Sequence, residues 1–482
     1  MPVCAPELAS GFHRDVVQPV PRILSSCTFD RLLTTLLFLT IVVACALTPM
    51  QGDSWWQLRA GRDMWATGRV LLSDIYSHTS YGTFWLNHEW LAEVIYYGAY
   101  LVAGLPAVTL LASVLICTGW SITWRLAEGP VKPAFFLTLF ALVPSSMWWE
   151  PRPHAFSLLF IPATIFLISR DRLAWLPAIF VVWANCHGGV LLGFVLLAGG
   201  LTARTIAESA YWRRAAAALA ACTLAMTATP LGLSFWIEIP KSLARIRLYP
   251  LDEWRPPDFT DPRLLPFWAI ALGFAAALVV FRREVLRRVP EHAPVYACAL
   301  MLLPLSIAAR RNVGPFLMIA IPALTLLLPR RSASAATARD TRPMLNFAIM
   351  STATVVVAGT IVWAYYHQIP RLRWTPVPAS AIAALEGCPD NLYNRYDEGG
   401  ELLWFAPSKK VFMDGRQDPF PTALVLEHIR IETEGADYRP VFARHDIKCA
   451  YLPTISPTAT ALAHAGWTTL YRDDRWVVLR NN

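Results

Sequence analysis

The chain has 482 residues, of which 55% are hydrophobic and only 16% charged, with a formal net charge of +8. Soluble proteins carry about 25% charged residues, so the deficit indicates an integral membrane protein. The positive balance does not point to nucleic acid, because the arginines stand in short clusters between apolar runs, as membrane topology requires.

In chain order, apolar runs long enough to be candidate spans fall at 31–50, 105–125, 133–149, 154–169, 173–186, 188–207, 214–229, 264–281, 292–308, 313–329 and 344–366. The first is read as retained, since no small-residue cleavage pattern precedes it. The run 88–103 is either a twelfth span or an interfacial helix before Gly104 and Pro106 redirect the chain. Charge decides between these. With eleven spans, Arg14, Arg22, Arg31, Arg125, Lys132, Arg170, Arg172, Arg204, Arg213, Arg214 and the basic stretches 282–288 and 330–342 all share one side. That is the positive-inside pattern, with residues 1–30 cytoplasmic and 367–482 outside. The expected architecture is therefore a polytopic α-helical membrane domain over 31–366, with a long outer loop at 51–104. Residues 367–482 alternate strand-like runs (KKVFMDG, DIKCAYL, GWTTLYR, RWVVLR) with helix-like runs at 422–434 and 457–465. They read as a small extracytoplasmic α/β domain closed by a hairpin at Asp473-Asp474. Nine cysteines show no metal-ligand spacing; Cys388 and Cys449 have the option of pairing if this domain faces an oxidising compartment.

This topology gathers unusual polar residues on one face. Asp53 follows span one, with Trp55 and Trp56 beside it. NHEW places Asn87, His88, Glu89 and Trp90 at the end of the first outer loop. EPRPH carries Glu150, Arg152 and His154, and ANCHGG carries Asn185 and His187. DEWRPPD lies in the loop 230–263, AARRN carries Arg310 and Arg311, and VFMDGRQD lies in the outer domain. Polar groups at membrane depth are costly and mark functional cavities. Each also has a bland reading: snorkelling anchors for the arginines, an aromatic belt for the tryptophans, an ordinary turn for Asp414-Gly415. Adjacent His88 and Glu89 do not form a zinc pair, because neighbours on a helix do not share a face. Desolvation at a helix end raises a carboxyl's pKa, which makes Asp53 a usable base.

In this order the motifs GDSWW, DIYSHTSYGTFWLNHEWL, EPRPHAFSLLF, WANCHGGVLLG, EWRPPD, AARRN and YDEGGELLWF…VFMDGRQD resemble the GT-C superfamily of polytopic glycosyltransferases. The likeness is to bacterial relatives of the protein O-mannosyltransferases and lipid A aminoarabinose transferases, and it covers most of the chain. It implies a membrane transferase that moves a sugar from a polyprenyl-phosphate lipid to a glycan, lipid or protein acceptor on the outer face of the bacterial cytoplasmic membrane. Many members carry a paired acid where this chain has Asp53 and Trp55, so a single-carboxylate site without metal or other cofactor is expected. Asp53, His88 and Glu89 are the expected catalytic group. Arg152, His154, His187, Arg310 and Arg311 are expected at the donor phosphate and sugar, and Trp55, Trp56 and Trp90 along sugar or lipid. Two rival readings share the same cavity: a carrier or flippase for lipid-linked sugars, and a non-catalytic subunit of an envelope polysaccharide system.

Overall fold

A computed structural model describes residues 26–287, 290–328 and 342–481. Arg14, Arg22 and nearly all of the basic stretch 330–342 lie outside the described residues.

Each of the eleven apolar runs is helical. They form α1 (Phe29–Ala46), the second half of α3 (Trp90–Leu126), α4 (Val131–Ser146), α5 (His154–Ser169), α6 (Leu176–Cys186), α7 (Val190–Ala207), α8 (Trp212–Ala225), α10 (Leu265–Val280), α11 (Ala293–Ala308), α12 (Val313–Leu327) and α13 (Pro343–His367). Among the described residues, five helices are long and apolar enough to cross a membrane by themselves. The others are shorter than expected. A 16-residue helix rises about 24 Å, less than the roughly 30 Å hydrocarbon layer. The deficit has a local cause: α4, α5, α6 and α11 all stop at polar segments (147–153, 187–189, 309–312) that face a protein-lined cavity, where irregular backbone is tolerated. Helix α12 is the axis of the bundle, with every residue but Leu324 buried. Helix α13 is peripheral and packs on α1, burying only Asn346 and Ala364.

The run 88–103 does not continue straight into the following span. It is the first half of α3, broken at Ala103 and at Gly104, whose φ of 64° is open to glycine. This half packs on α2 (Gly52–Thr67), a polar helix within the expected outer loop 51–104. Arg59 and Asp63 pair one turn apart along α2 (2.7 Å), and Gly68 closes it in the left-handed conformation.

The C-terminal part is a five-stranded mixed sheet in the order β2-β1-β3-β5-β4. Its strands are β1 (Asn391–Asn394), β2 (Lys410–Val411), β3 (Cys449–Pro453), β4 (Thr468–Arg472) and β5 (Trp476–Arg480). The first three are parallel, and β5 and β4 return antiparallel as the expected hairpin. Helices α15 (Tyr396–Phe405), α16 (Thr422–Glu434) and α18 (Pro457–His464) connect them. Cys388 and Cys449 are bonded, closing 61 residues of sequence separation. In the chain-entropy account a loop of that length is worth about 4 kcal/mol. Cys388→Ser is therefore expected to lower the melting temperature of the sheet domain in non-reducing buffer, with no further loss on adding reductant.

This sheet does not fold apart from the first loop. One hydrophobic core joins Trp56, Ala60, Met64, Tyr76 and Trp85 to Leu392, Val411, Tyr451 and Trp476. Segment 76–79 lies along the edge of β2: His78 N–H donates to the Val411 carbonyl (3.1 Å), Val411 N–H to the Tyr76 carbonyl (3.2 Å), and Thr79 Oγ1 to the Phe412 carbonyl (2.5 Å). Beneath them Arg416 bridges Asp74 (2.7 Å) and Asp414 (2.7 Å), all three side chains wholly buried. Removing one member of a buried ionic set costs about 3–5 kcal/mol, because the partner charge is left unpaired. Asp74→Ala is expected to destabilise the fold on that scale, read as a lowered melting temperature in detergent.

Candidate functional site

Every polar segment singled out in the sequence sits at the same end of the bundle. Chain direction enforces this: α1, α4, α6 and α11 run toward that end, and α5, α7 and α12 start from it. The basic residues Arg31, Arg125, Lys132, Arg170 and Arg204 cap the opposite helix ends.

Asp53 is in the first turn of α2, where free backbone N–H groups favour a carboxylate. Its Oδ2 meets Arg152 Nη2 at 2.5 Å, and its Oδ1 accepts from Trp56 Nε1 at 3.0 Å. Burial pushes the Asp53 carboxyl above its ordinary range, against the opposing pull of Arg152 and the Trp56 N–H. Glu89, at the start of α3, accepts from Gln57 Nε2 (3.2 Å), and His88 and His187 each approach it at 3.8 Å. Burial also raises the Glu89 carboxyl, opposed by His88 and Arg152. Glu150, bonded to Gln51, is pushed up to about 7 by burial. Burial works the same way on Glu253, but Arg311 (3.0 Å) and then Arg152 hold it below the usual carboxylate value.

The tautomer of His187 follows from its neighbours. The Gly189 N–H donates to His187 Nδ1 (3.2 Å), which is therefore unprotonated, so the Ser157 hydroxyl, which takes the Trp183 Nε1–H (2.8 Å), donates to it as well (2.7 Å). The proton then sits on Nε2, pointing at Glu89. Burial lowers the His187 pKa well below its ordinary value and keeps the ring neutral. His154 donates from Nε2 to the Trp148 carbonyl and lies 3.8 Å from Glu150.

Apart from Glu150, which lies outside it, these charged groups and histidines wall one chamber with two lobes. Gln57, Glu89, Arg152, His187, Glu253 and Arg311 border both. The larger lobe, about 210 Å³, runs between the bundle helices along Leu158, Ile161, Leu192, Leu305 and Pro315. The smaller, about 110 Å³, is polar and contains Asp53, Trp56, His88 and, from the sheet domain, the segment 415–418. One end of the chamber is thus apolar and the other polar; Arg152 borders both, and Asp53 meets it from the polar side.

Of the residues expected at the site, Asp53, Trp56, His88, Glu89, Arg152, His154, His187 and Arg311 border the chamber. Three do not, and their expected roles are corrected. Trp55 is fully buried behind α2 against Phe405 and Trp404, because the helix turns successive side chains to different faces. Trp90 is held by a hydrogen bond from its Nε1 to Asn185 Oδ1 (2.7 Å). Arg310 spends its guanidinium on both Asp252 oxygens (2.8 and 2.9 Å) and the Pro256 carbonyl, pinning that loop. Gln57, Ser157, Glu253 and the 415–418 segment also border the chamber and are not among the residues expected there. Glu253 stands in the DEWRPPD motif, but Gln57 becomes visible only once α2 is known to be a helix, one turn on from Asp53.

Asp53's oxygens are engaged by Arg152 and Trp56. Among the described residues, no group of three or more His, Cys, Asp or Glu side chains is placed to hold a metal ion.

No protein-family model and no curated protein matches the chain. Solved structures do. ArnT from Cupriavidus metallidurans, in the apo state, aligns over 92% of this chain and 96% of its own, with a TM-score of 0.50 and 15% identity. The oligosaccharyltransferase AglB from Archaeoglobus fulgidus, in complex with an inhibitory peptide and a dolichol-phosphate, aligns over 87% of this chain and 69% of its own, at a TM-score of 0.55 and 12% identity. The same archaeal enzyme tethered to an acceptor peptide gives 0.53, also at 12% identity. The chain therefore shares the fold of these two proteins.

Proposed function

We propose that the protein is a membrane glycosyltransferase that takes a sugar from a polyprenyl-phosphate lipid and passes it to an acceptor hydroxyl or amine. The observation that carries this reading is the Asp53–Arg152 pair, whose arginine borders both an apolar and a polar lobe. A lipid phosphate has its tail in hydrocarbon and its sugar in water, and this chamber offers both. The likeness to AglB, a structure holding dolichol-phosphate, supports the same donor class.

The reaction is a substitution at the anomeric carbon. The acceptor oxygen or nitrogen forms the new bond there, its proton goes to Asp53, and the sugar–phosphate C–O bond breaks with the electron pair leaving on phosphate. Arg152 and Arg311 receive that charge, since a guanidinium grips phosphate oxygens in pairs. Attack opposite the leaving group inverts the anomeric centre. Glu89, with His88, His154 and His187, orients sugar hydroxyls. In the resting chain Arg152 is already paired with Asp53, so an arriving phosphate competes for it. When Arg152 turns to phosphate, the carboxylate loses the charge that held its pKa down and becomes a stronger base at that moment.

We place the chamber and sheet domain on the extracytoplasmic side of a bacterial cytoplasmic membrane. Two observations support this: the Cys388–Cys449 bond, of a kind that persists in oxidising compartments, and the basic residues at the opposite helix ends. The test is transfer by the purified, reconstituted protein from a panel of radiolabelled polyprenyl-phosphate sugars in the presence of envelope extract. A glycosidic product that disappears in Asp53→Asn supports the reading. Transbilayer movement without product favours a carrier, and neither activity favours an assembly subunit.

A further inference from the structure

We infer that Gly415, in the sheet domain, is a positioning residue for Asp53, and that Tyr396 locks it in place. The inference rests on the reading of Asp53 as the base and adds a part to it that the membrane helices do not supply. Gly415 borders the polar lobe directly against Asp53. A Cβ at this position would fall on Asp53 Oδ1 and lie 3.2 Å from Trp56 Nε1. Only glycine lets the carboxylate keep the orientation in which Oδ1 takes the Trp56 N–H and Oδ2 faces Arg152.

The wall that Gly415 forms is rigid. On its two sides Asp414 and Arg416 are joined by paired hydrogen bonds (2.8 and 2.7 Å), and Arg416 is anchored to Asp74 of the first loop. Asp418 accepts from Arg245 (2.8 Å) and Ser242 (2.5 Å) of α9 (Phe235–Ile246), the helix over the polar lobe. The Gly415 carbonyl itself accepts from the Tyr396 hydroxyl (3.1 Å), at the first residue of α15. Helix α15 in turn crosses α2 beside Asp53, with Gly400 against the Gly52 carbonyl. The sheet domain therefore holds the base from behind: α15 sets the height of α2, and Gly415 sets the rotamer of the carboxylate. Asp414-Gly415-Arg416, an ordinary turn by its sequence, is one wall of the site.

The test compares full-length wild type, Gly415→Ala, Tyr396→Phe and Trp56→Phe by steady-state transfer against pH, alongside melting temperature. Gly415→Ala is expected to lower kcat by about tenfold or more without raising donor KM, because the displaced carboxylate takes the acceptor proton and bears on phosphate only as its competitor for Arg152. Its acid limb moves to higher pH, since the Trp56 bond that holds the carboxyl down is lost. Tyr396→Phe keeps volume and fold and moves the limb the same way by less. Trp56→Phe reproduces the shift, and adding Gly415→Ala to it moves the limb little further, because both changes remove the same hydrogen bond. An unshifted limb in Tyr396→Phe, or additive limb shifts in the double variant, overturns the inference, and Tyr396→Phe decides alone if the alanine variant does not fold. Retained activity in Asp53→Asn would instead remove the base assignment itself.

Discussion

Asp53→Asn is expected to lower sugar transfer by about 10³-fold, the middle of the range that a positioned base contributes, while leaving the fold intact. Asparagine keeps an oxygen for the Trp56 N–H and occupies the same volume, so the contacts of α2 with α15 and Gly415 survive. Donor binding should not fall with the rate. In the wild type the carboxylate and the incoming phosphate compete for Arg152, which stands 2.5 Å from Asp53. Removing the negative charge frees the guanidinium, so affinity for polyprenyl phosphate, measured without acceptor, is expected to rise. Slower turnover with tighter donor binding separates a lost proton acceptor from a lost binding group. Wild-type turnover in this variant would dismiss the carboxylate from the chemistry, and a weakened donor affinity would dismiss the competition for Arg152.

The features that were legible in the sequence are those set by solvent. Lipid demands apolar helices, and charge bias sorts their ends, so eleven runs and a shared polar face follow from residue type alone. The tail's strands are marked by alternation and turn residues where a short run holds three or more apolar residues. Strand β1 escapes because the polar Asn391 and Asn394 flank its two apolar residues, whereas the shorter β2 lies inside the run KKVFMDG. The site was half legible for a similar reason. His88, Glu89, Arg152, His187 and Arg311 stand out because a polar residue at a span end is expensive. Which of them face inward depends on helix phase and on pairing across the chain. Arg310 and Arg311 are adjacent and alike, yet one holds a loop through Asp252 and the other pairs with Glu253 at the chamber wall. Trp55 and Trp56 divide in the same way between core and site. The contribution of Gly415 was invisible, since a glycine's meaning lies in what approaches it, and Asp53 is more than 350 residues away in the chain.

In the proposed reaction Arg152 serves both the phosphate and the base, so its replacement carries the second large effect. Arg152→Gln is expected to reduce kcat/KM by about 10²–10³-fold, the scale on which removing a preorganised charge from a developing oxyanion costs rate. Two changes act together. Phosphate loses its principal cation, which raises donor KM, and Asp53 loses the counter-charge that opposes its desolvation. The second change has a definite sign in pH. The folded-state pKa of Asp53 is already above the ordinary carboxylate value because of burial, and Arg152 is the largest influence pulling it back. Activity that needs the ionised carboxylate is present above that pKa and is lost as pH falls through it. Without Arg152 the pKa rises further, so the acid limb of the rate profile moves toward neutral pH. Arg152→Lys separates the two effects. Lysine keeps the charge and restores most of the limb, but a single ammonium does not span two phosphate oxygens, so donor KM stays high. A glutamine variant with an unmoved acid limb would show that Asp53 does not feel this guanidinium during turnover, and the proposed hand-over of Arg152 from carboxylate to phosphate would fall with it.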